Sequence, residues 1–152
     1  MPEVETEFLF RAEIDLRAPE VVGQTPQGNR MIFLVERGRF EGPKLKGEVL
    51  EGGGDWFLLR PDGAGELDVR ATLRTDDGQL IYMIYRGILH ATPAVMARIF
   101  GGQPVERSEY YFRTAPTFQT AAPRYDWLNR IQAIGIGEVV PGGVAYNVYA
   151  IR

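Results

Sequence analysis

Apolar residues recur at every second position through most of this chain, and this spacing constrains its fold more than any other feature. Residues 7–16 show it clearly, with mostly polar residues between the apolar side chains of Phe8, Phe10, Ala12, Ile14 and Leu16. A spacing of two places successive side chains on opposite faces of a β-strand. Eight or so stretches of this kind, separated by turn residues about every 8–12 positions, predict an all-β, mainly antiparallel fold.

Two hairpins and one helix stand out within this pattern. Strands are expected over about 66–75 and 79–89, joined by a tight turn at Asp76-Asp77-Gly78. A second hairpin turns at Pro141-Gly142-Gly143. Thr92 offers an N-cap and Pro93 a first helical residue, which together predict a short helix over about 93–100.

Other segments are less regular. Residues 21–30 contain Gly, Pro and Asn, and they are predicted to form a loop. The strand that starts at Met31 is expected to bulge or bend at Gly38. A later strand is expected to stop near Pro116, and residues 123–130 are predicted to form a short helix or turn.

Charged side chains lie among large aromatic ones on both faces of several predicted strands. Asp68, Arg70, Arg86 and Arg113 are examples. Polar residues on both faces of a strand are better explained by a closed or nearly closed barrel with a wet or ligand-filled interior than by a dry sandwich. We therefore expect residues 1–152 to form one β-barrel domain with one or two short helices.

Composition excludes several kinds of chemistry. The 152 residues include no cysteine and a single histidine, His90, so we expect no metal site. No phosphate loop or dinucleotide fingerprint occurs, so we expect no cofactor. The net charge is −3 and the basic residues are scattered, which argues against a nucleic-acid partner. The acidic start lacks the pattern of a signal peptide, and no apolar run reaches the roughly 20 residues of a membrane span. We expect a cytoplasmic protein that acts on a small molecule away from membranes.

Several short motifs occur together in an order that is similar to that of a known family. They are Gly53-Asp55-Trp56, Arg60-Asp62-Gly63, Asp68-Arg70, Thr75-Asp77-Gly78, Tyr111-Arg113-Thr114 and Trp127-Leu128-Asn129. From about residue 8 to the C-terminus the chain resembles the domain-of-unknown-function 3237 family, also called UPF0311. The resemblance implies a small β-barrel similar to the allene oxide cyclase and dirigent barrels, which act on unsaturated or aromatic small molecules without a cofactor. Gln119 departs from the family pattern, which has an acidic residue there.

Five residues are candidates for catalysis. Asp55 follows three glycines and can act as a general base at the barrel mouth, or bind backbone amides in a turn. Asp68 and Arg70 lie two apart and point to the same side, where Arg70 can bind an oxyanion or form an ordinary ion pair. Tyr82 and Arg113 can stabilise an enolate or oxyanion, although tyrosines also bury well in strands and Arg113 can form a salt bridge.

A further group of residues is predicted to bind the substrate. Its members are Trp56, Arg86, Tyr111, Phe118, Trp127 and Asn129. The aromatic residues would form apolar walls, and Asn129 would position a carbonyl or hydroxyl group unless it closes a loop instead. Tyr85 points to the face opposite Tyr82 and Arg86, and a structural role is favoured for it.

Three functions remain open from the sequence. The first is a cofactor-independent lyase, isomerase or cyclase for a small aromatic or unsaturated, oxygenated molecule. The second is a non-catalytic barrel that holds a small ligand, and the third is a structural or assembly domain. Convergence of Asp55, Arg70, Tyr82 and Arg113 on one cavity would favour the first two. Large apolar residues on both faces of the first and last strands also predict a homodimer.

Overall fold

The computed structural model of the chain describes residues 2–152. Within these residues the chain forms eleven β-strands, one α-helix and two 3₁₀ helices. The strands are β1 (Thr6–Leu16), β2 (Glu20–Thr25), β3 (Gly28–Glu41), β4 (Lys46–Val49), β5 (Gly54–Leu59), β6 (Gly65–Thr75), β7 (Leu80–His90), β8 (Tyr111–Thr114), β9 (Thr117–Gln119), β10 (Ala133–Val140) and β11 (Gly143–Ile151). The α-helix is α1 (Pro93–Phe100), and the 3₁₀ helices span Arg107–Glu109 and Pro123–Arg130.

Eight of these strands close into an antiparallel barrel. Their order around the barrel is β6, β5, β3, β1, β11, β10, β8 and β7, and β7 pairs back to β6. The other strands lie against this ring: β2 extends β3, β4 pairs with both β3 and β6, and β9 pairs with β7. The prediction of a mainly antiparallel barrel is therefore confirmed.

The β6–β7 hairpin shows how the alternating pattern fixes the barrel's inside and outside. Its strands pair continuously from Gly65 with Leu89 to Arg74 with Leu80. Buried and more accessible residues alternate along β6, so that Val69 and Leu73 face the interior and Arg70 faces outward. The turn closes at Gly78, whose φ of +86° is readily adopted only by glycine.

Helical segments pack against the barrel in two places. The Thr92 hydroxyl accepts a hydrogen bond from the Val95 N–H at 3.3 Å, and Pro93 follows as the first helical residue, so the predicted start of α1 is confirmed. From α1, Phe100 packs on the interior residue Phe57 with ring centroids 5.6 Å apart. In the 3₁₀ helix Pro123–Arg130, the buried Tyr125 donates a hydrogen bond to Asp77 in the β6–β7 turn at 2.9 Å.

The predicted loop over residues 21–30 is wrong, because β2 and the start of β3 occupy that segment. The turn between them is held by the Thr25 hydroxyl, which donates to the Gly28 carbonyl at 2.8 Å. β2 lies at an edge with Val21 and Val22 exposed, so it has no buried face to produce an alternating pattern.

The bulge or bend expected at Gly38 lies at a different position in β3. β3 runs through Gly38, which pairs with Ile14 and Val49, and the register shifts instead between Arg37 and Val35. Glycine is needed at 38 for a different reason, since a Cβ there would lie 2.7 Å from the Glu13 carbonyl oxygen. The residue type thus reflects a close approach of strands rather than a bend.

Candidate active site inside the barrel

One small cavity inside the barrel brings together three ionisable side chains, Asp55, Tyr85 and Tyr146. The rest of its lining is apolar or glycine: Ile14, Leu16, Val35, Gly54, Val69, Ala71 and Val144. Its volume of about 20 Å³ is enough for roughly one water molecule. A carboxyl group and two phenols therefore share a site that is nearly dry.

Asp55 reaches this site because β5 begins in a very narrow space. A Cβ on Gly53 would lie 2.4 Å from the Arg70 carbonyl oxygen, and one on Gly54 would lie 2.9 Å from that of Phe33. Only glycine at both positions lets β5 start between β3 and β6. Asp55 is then the first residue of the strand whose side chain enters the cavity.

The pairing between β5 and β6 is interrupted beside Asp55. Side chains form hydrogen bonds with backbone groups in the interrupted stretch. Ladder pairs join Asp55 to Val69 and then resume at Leu58 with Glu66. Between them, the Asp68 N–H donates to Oδ1 of Asp55 at 3.0 Å. On the same stretch, the Trp56 carbonyl accepts a hydrogen bond from the Arg30 guanidinium at 2.6 Å. The carboxyl group is thereby fixed to the backbone of the neighbouring strand.

The position of Asp55 changes its acidity. Burial raises the pKa of the Asp55 carboxyl from 3.8 to about 7, with the nearby Asp68 charge adding to the rise. The hydrogen bond from the Asp68 N–H and the positive charge of Arg30 act in the opposite direction and only partly offset it. Near neutral pH the group exists in both protonation states, which is the property of a general acid or base.

Tyr85 and Tyr146 form a pair beside Asp55. Their rings meet edge to face with centroids 5.3 Å apart, and both side chains are buried. Burial raises the pKa of both hydroxyls above the usual tyrosine value, and the Asp55 charge acts in the same direction. The two hydroxyls also influence each other's acidity. Both phenols therefore stay protonated and can donate hydrogen bonds to an oxygen atom in the cavity.

Most of the predicted catalytic residues lie elsewhere, and the expectation that they share the interior is wrong. Asp68, Arg70, Tyr82 and Arg113 are on the outer face of β6, β7 and β8, and of the predicted catalytic residues only Asp55 lines the cavity. The physical reason is the alternation itself. The apolar residues of each strand fill the interior, so the charged residues between them must face outward.

The predicted substrate-binding residues are also dispersed. Trp56, Arg86 and Tyr111 lie on the outer face, Phe118 is buried against Phe10 (ring centroids 6.2 Å apart), and Trp127 lies beneath the Lys44 ammonium. The Asn129 side chain bonds the Thr120 N–H and carbonyl at 2.8 and 2.9 Å. Asn129 thus closes a loop, which is the alternative weighed for it from the sequence.

Sequence reasoning missed Tyr85 and Tyr146. A signal was available, because each tyrosine occupies an inward position of a strand whose other inward residues are apolar, such as Met83 beside Tyr85 and Val148 beside Tyr146. A hydroxyl on such a face must find a polar partner inside the barrel.

Two further properties concern the part of the chain that the structure describes. Residues 2–152 contain no group of three or more His, Cys, Asp or Glu side chains arranged to hold a metal ion. Among these same residues, no helix has the length and apolar character needed to cross a membrane.

The closed eight-stranded ring, with a partly buried acid and two buried phenols inside it, places the chain in the class of small antiparallel β-barrel proteins. The model of the family described as "Protein of unknown function (DUF3237)" matches residues 4–151, and the chain belongs to this family. A UPF0311 protein of Clostridium acetobutylicum is 33% identical over 150 residues, which cover 98% of this chain and 95% of that protein. The resemblance seen in the motifs is confirmed.

Solved structures support the same fold. A protein of unknown function from Rhodopseudomonas palustris matches with a TM-score of 0.96 at 28% identity, over the whole of both chains. A β-barrel-like protein from Acinetobacter baumannii matches with a TM-score of 0.87 at 34% identity, covering 100% of this chain and 98% of that one. An enzyme from Penicillium herquei matches with a TM-score of 0.75 at 21% identity, covering 100% and 98%, which shows a common fold.

Proposed function

We propose that the protein is an enzyme that transfers a proton within the barrel, with Asp55 as the acid and base. The reaction is that of a cofactor-independent lyase, isomerase or cyclase, and the substrate is a small aromatic or unsaturated, oxygenated molecule. One observation carries this proposal: a carboxyl group with a pKa of about 7 lies beside two protonated phenols in one apolar-lined cavity.

Each group has a distinct part in such a reaction. Ionised Asp55 removes a proton from a carbon next to a carbonyl group, or from a phenol, and becomes neutral. The electron pair left behind moves onto the substrate oxygen, which accepts hydrogen bonds from Tyr85 and Tyr146. Neutral Asp55 then returns the proton, either to another carbon in an isomerase or cyclase, or to a leaving group in a lyase.

The lining also restricts the substrate. The residues that line the cavity include no lysine or arginine, so a substrate carboxylate or phosphate would have no opposite charge to meet it. The substrate is therefore uncharged before reaction. Since the cavity holds about one water, binding must also widen it, and the partly exposed side chains of Leu16 and Val144 are the lining residues with room to move.

A non-catalytic ligand-binding barrel is the second candidate, because the enclosed apolar lining suits binding without chemistry. The related barrel from Penicillium herquei is described as an enzyme, which favours catalysis in this fold but indicates no particular reaction.

One experiment distinguishes the enzyme from the non-catalytic ligand-binding barrel. Small uncharged phenols and enones are incubated with the protein in D₂O, and deuterium uptake at carbon is followed by mass spectrometry. Asp55→Asn should slow the uptake by about 10²–10⁴-fold while leaving ligand binding intact. The rate should rise with pH around an apparent pKa of about 7, as the basic form of Asp55 accumulates.

A matched control is Asp15→Asn, which removes a carboxylate from the outer face of β1, next to the lining residue Ile14. This variant should exchange at the wild-type rate. Ligands that bind without any exchange would establish the binding barrel instead, and exchange that survives Asp55→Asn would remove Asp55 from the mechanism.

A further inference from the structure

The arginines of this protein fall into two groups. On most of the barrel, each arginine contacts a carboxylate, as Arg37 contacts Asp15 at 3.3 Å and Arg39 contacts Glu13 at 3.3 Å. Among residues 2–152, the exceptions are four side chains with no carboxylate oxygen within 4.0 Å: Arg30, Arg70, Arg86 and Arg113. All four belong to one continuous region, the outer face of β3, β5, β6, β7 and β8.

The strand register gives the layout of this region, which we call the arginine face. Arg30, Leu58, Glu66, Ile88 and Arg113 form one row across five strands. With strands about 4.8 Å apart, the row is roughly 19 Å long. Two residues further along β6 and β7, Asp68 lies opposite Arg86, and two residues beyond that Arg70 lies opposite Ile84. Basic and apolar side chains, with Glu66 and Asp68 among them, therefore cover a surface the length of a short extended peptide.

Aromatic rings support two of the guanidinium groups. Arg70 lies over the Trp56 ring at 6.0 Å from its centroid, and Arg113 lies over the Tyr111 ring at 5.2 Å. Such stacking keeps a guanidinium extended. Arg113 donates one N–H to the Phe112 carbonyl at 2.9 Å, which leaves its other donors available. Three of the four arginines are exposed, and Ile88 has 38% of its surface exposed between them.

The local charge is positive although the whole chain is acidic. Glu66 is already paired with Arg60 at 3.3 Å, which leaves Asp68 as the one acidic group among the four arginines. The net charge of the chain is −3, so the excess of positive charge here is a local property of one face.

We infer that the arginine face binds an acidic, extended segment of a partner protein, in which carboxylates alternate with apolar side chains. The exposed guanidinium groups of Arg70, Arg86 and Arg113 would each pair with a carboxylate, and the segment's apolar residues would cover Ile84 and Ile88. Two copies of this chain joined by the same face would oppose arginine to arginine, which disfavours a symmetric dimer here. A long nucleic acid would be repelled by the acidic remainder of the chain.

The test uses a fluorescein-labelled decapeptide of alternating Glu and Val, with fluorescence anisotropy at low salt. The wild type should bind it saturably, and Arg70→Ala/Arg86→Ala should weaken binding by about tenfold or more. Arg37→Ala/Arg39→Ala removes two exposed, ion-paired arginines from another part of β3 and should bind like the wild type. Thermal melts verify that each variant is folded.

Three results would overturn the inference. They are no saturable binding by the wild type up to about 1 mM peptide, equal loss in both double variants, and tighter binding of a deoxythymidine decamer than of the peptide. The last result would assign the face to nucleic acid. None of these results concerns the cavity, so the proposed enzymatic function is tested independently of this inference.

Discussion

The two faces of the β6–β7 hairpin carry polar residues for opposite reasons. On the inner face, Tyr85 lies opposite Val69 in the barrel interior, where its hydroxyl is removed from water. On the outer face, Asp68 lies opposite Arg86, one residue away along each strand, and the guanidinium is exposed to solvent. A shift of one position along a strand thus separates a group whose chemistry is altered by burial from groups that remain hydrated.

The difference shows which residues are informative in a barrel. The charged motif residues are conspicuous in the sequence, yet they mark the outer surface. The interior site is formed by one carboxyl and two phenols. They are hard to recognise in the sequence because most of the other inward-facing residues of their strands are apolar. Mutations confined to one face or the other test this contrast.

The largest expected effect on stability is at Asp55. The folded state keeps the Asp55 proton up to a pKa of about 7, whereas the unfolded chain loses it near the ordinary value of 3.8. The free energy of unfolding should therefore fall as pH rises through this window, by at most about 4 kcal/mol, and level off above it. Asp55→Asn copies the neutral form, so it should remove this fall and be more stable than the wild type at pH 8.

Urea unfolding at pH 5 and pH 8 measures this effect. Asp15→Asn serves as the control, because its carboxylate is on the outer face. Equal pH dependence in the wild type and Asp55→Asn would mean that the Asp55 carboxyl is ionised in the folded state at low pH, and the contrast between the faces would then fail.

A smaller effect is expected at Tyr146. Tyr146→Phe keeps the ring contacts with Tyr85 and Phe112 but removes one hydroxyl from the buried pair. The buried Tyr85 hydroxyl then has one polar neighbour fewer in the cavity, which should cost about 1–2 kcal/mol in the free energy of unfolding. Denaturant unfolding of Tyr146→Phe beside Tyr149→Phe, a half-buried tyrosine of the same strand, checks whether burial of the hydroxyl is the cause.

The smallest effect should come from the outer face. Arg86→Ala removes an exposed side chain without a carboxylate partner among the described residues, so its stability should stay within about 0.5 kcal/mol of the wild type. Differential scanning calorimetry would detect a larger change. A loss of about 2 kcal/mol would show that Arg86 holds the sheet together, which would also weaken its assignment to a binding face.

The homodimer stays a prediction, although its original basis has changed. Strands β1 and β11 pair with each other, so neither offers a free edge to a partner along its paired length. One unpaired edge is that of β2, where Val21 and Val22 are 65% and 61% exposed. Sedimentation velocity at micromolar concentration should give about twice the monomer mass, and a value near 17.1 kDa would rule the dimer out.

The fold was predictable where local rules and burial agree. Both hairpins and α1 follow from turn glycines, the Thr92 cap and alternating apolar residues, each of which is a property of a few neighbouring positions. β2 was not predictable in the same way, because a strand exposed at an edge has no apolar period. The number of short strands predicted a sandwich or a barrel, and the barrel was preferred because polar residues occur on both faces of several strands.

The site was predictable only in part. Asp55 could be identified because a carboxylate directly follows three glycines. Its raised pKa depends on the dry cavity and on the opening of the β5–β6 ladder, which are properties of three strands together. The sequence also showed that Asp68 and Arg70 share a face. They were assigned to the inside of the barrel because its interior was assumed to be wet.

The hydrogen bond between Asp55 and the Asp68 N–H provides an internal reporter. An ionised carboxylate accepts this bond more strongly than a neutral acid does, so the amide resonance of Asp68 should shift downfield as Asp55 loses its proton. In a ¹⁵N-labelled sample, a single backbone peak would follow the charge of the Asp55 carboxyl. Its titration curve requires neither a substrate nor a mutation, so the protonation state of the site can be read in the unmodified protein.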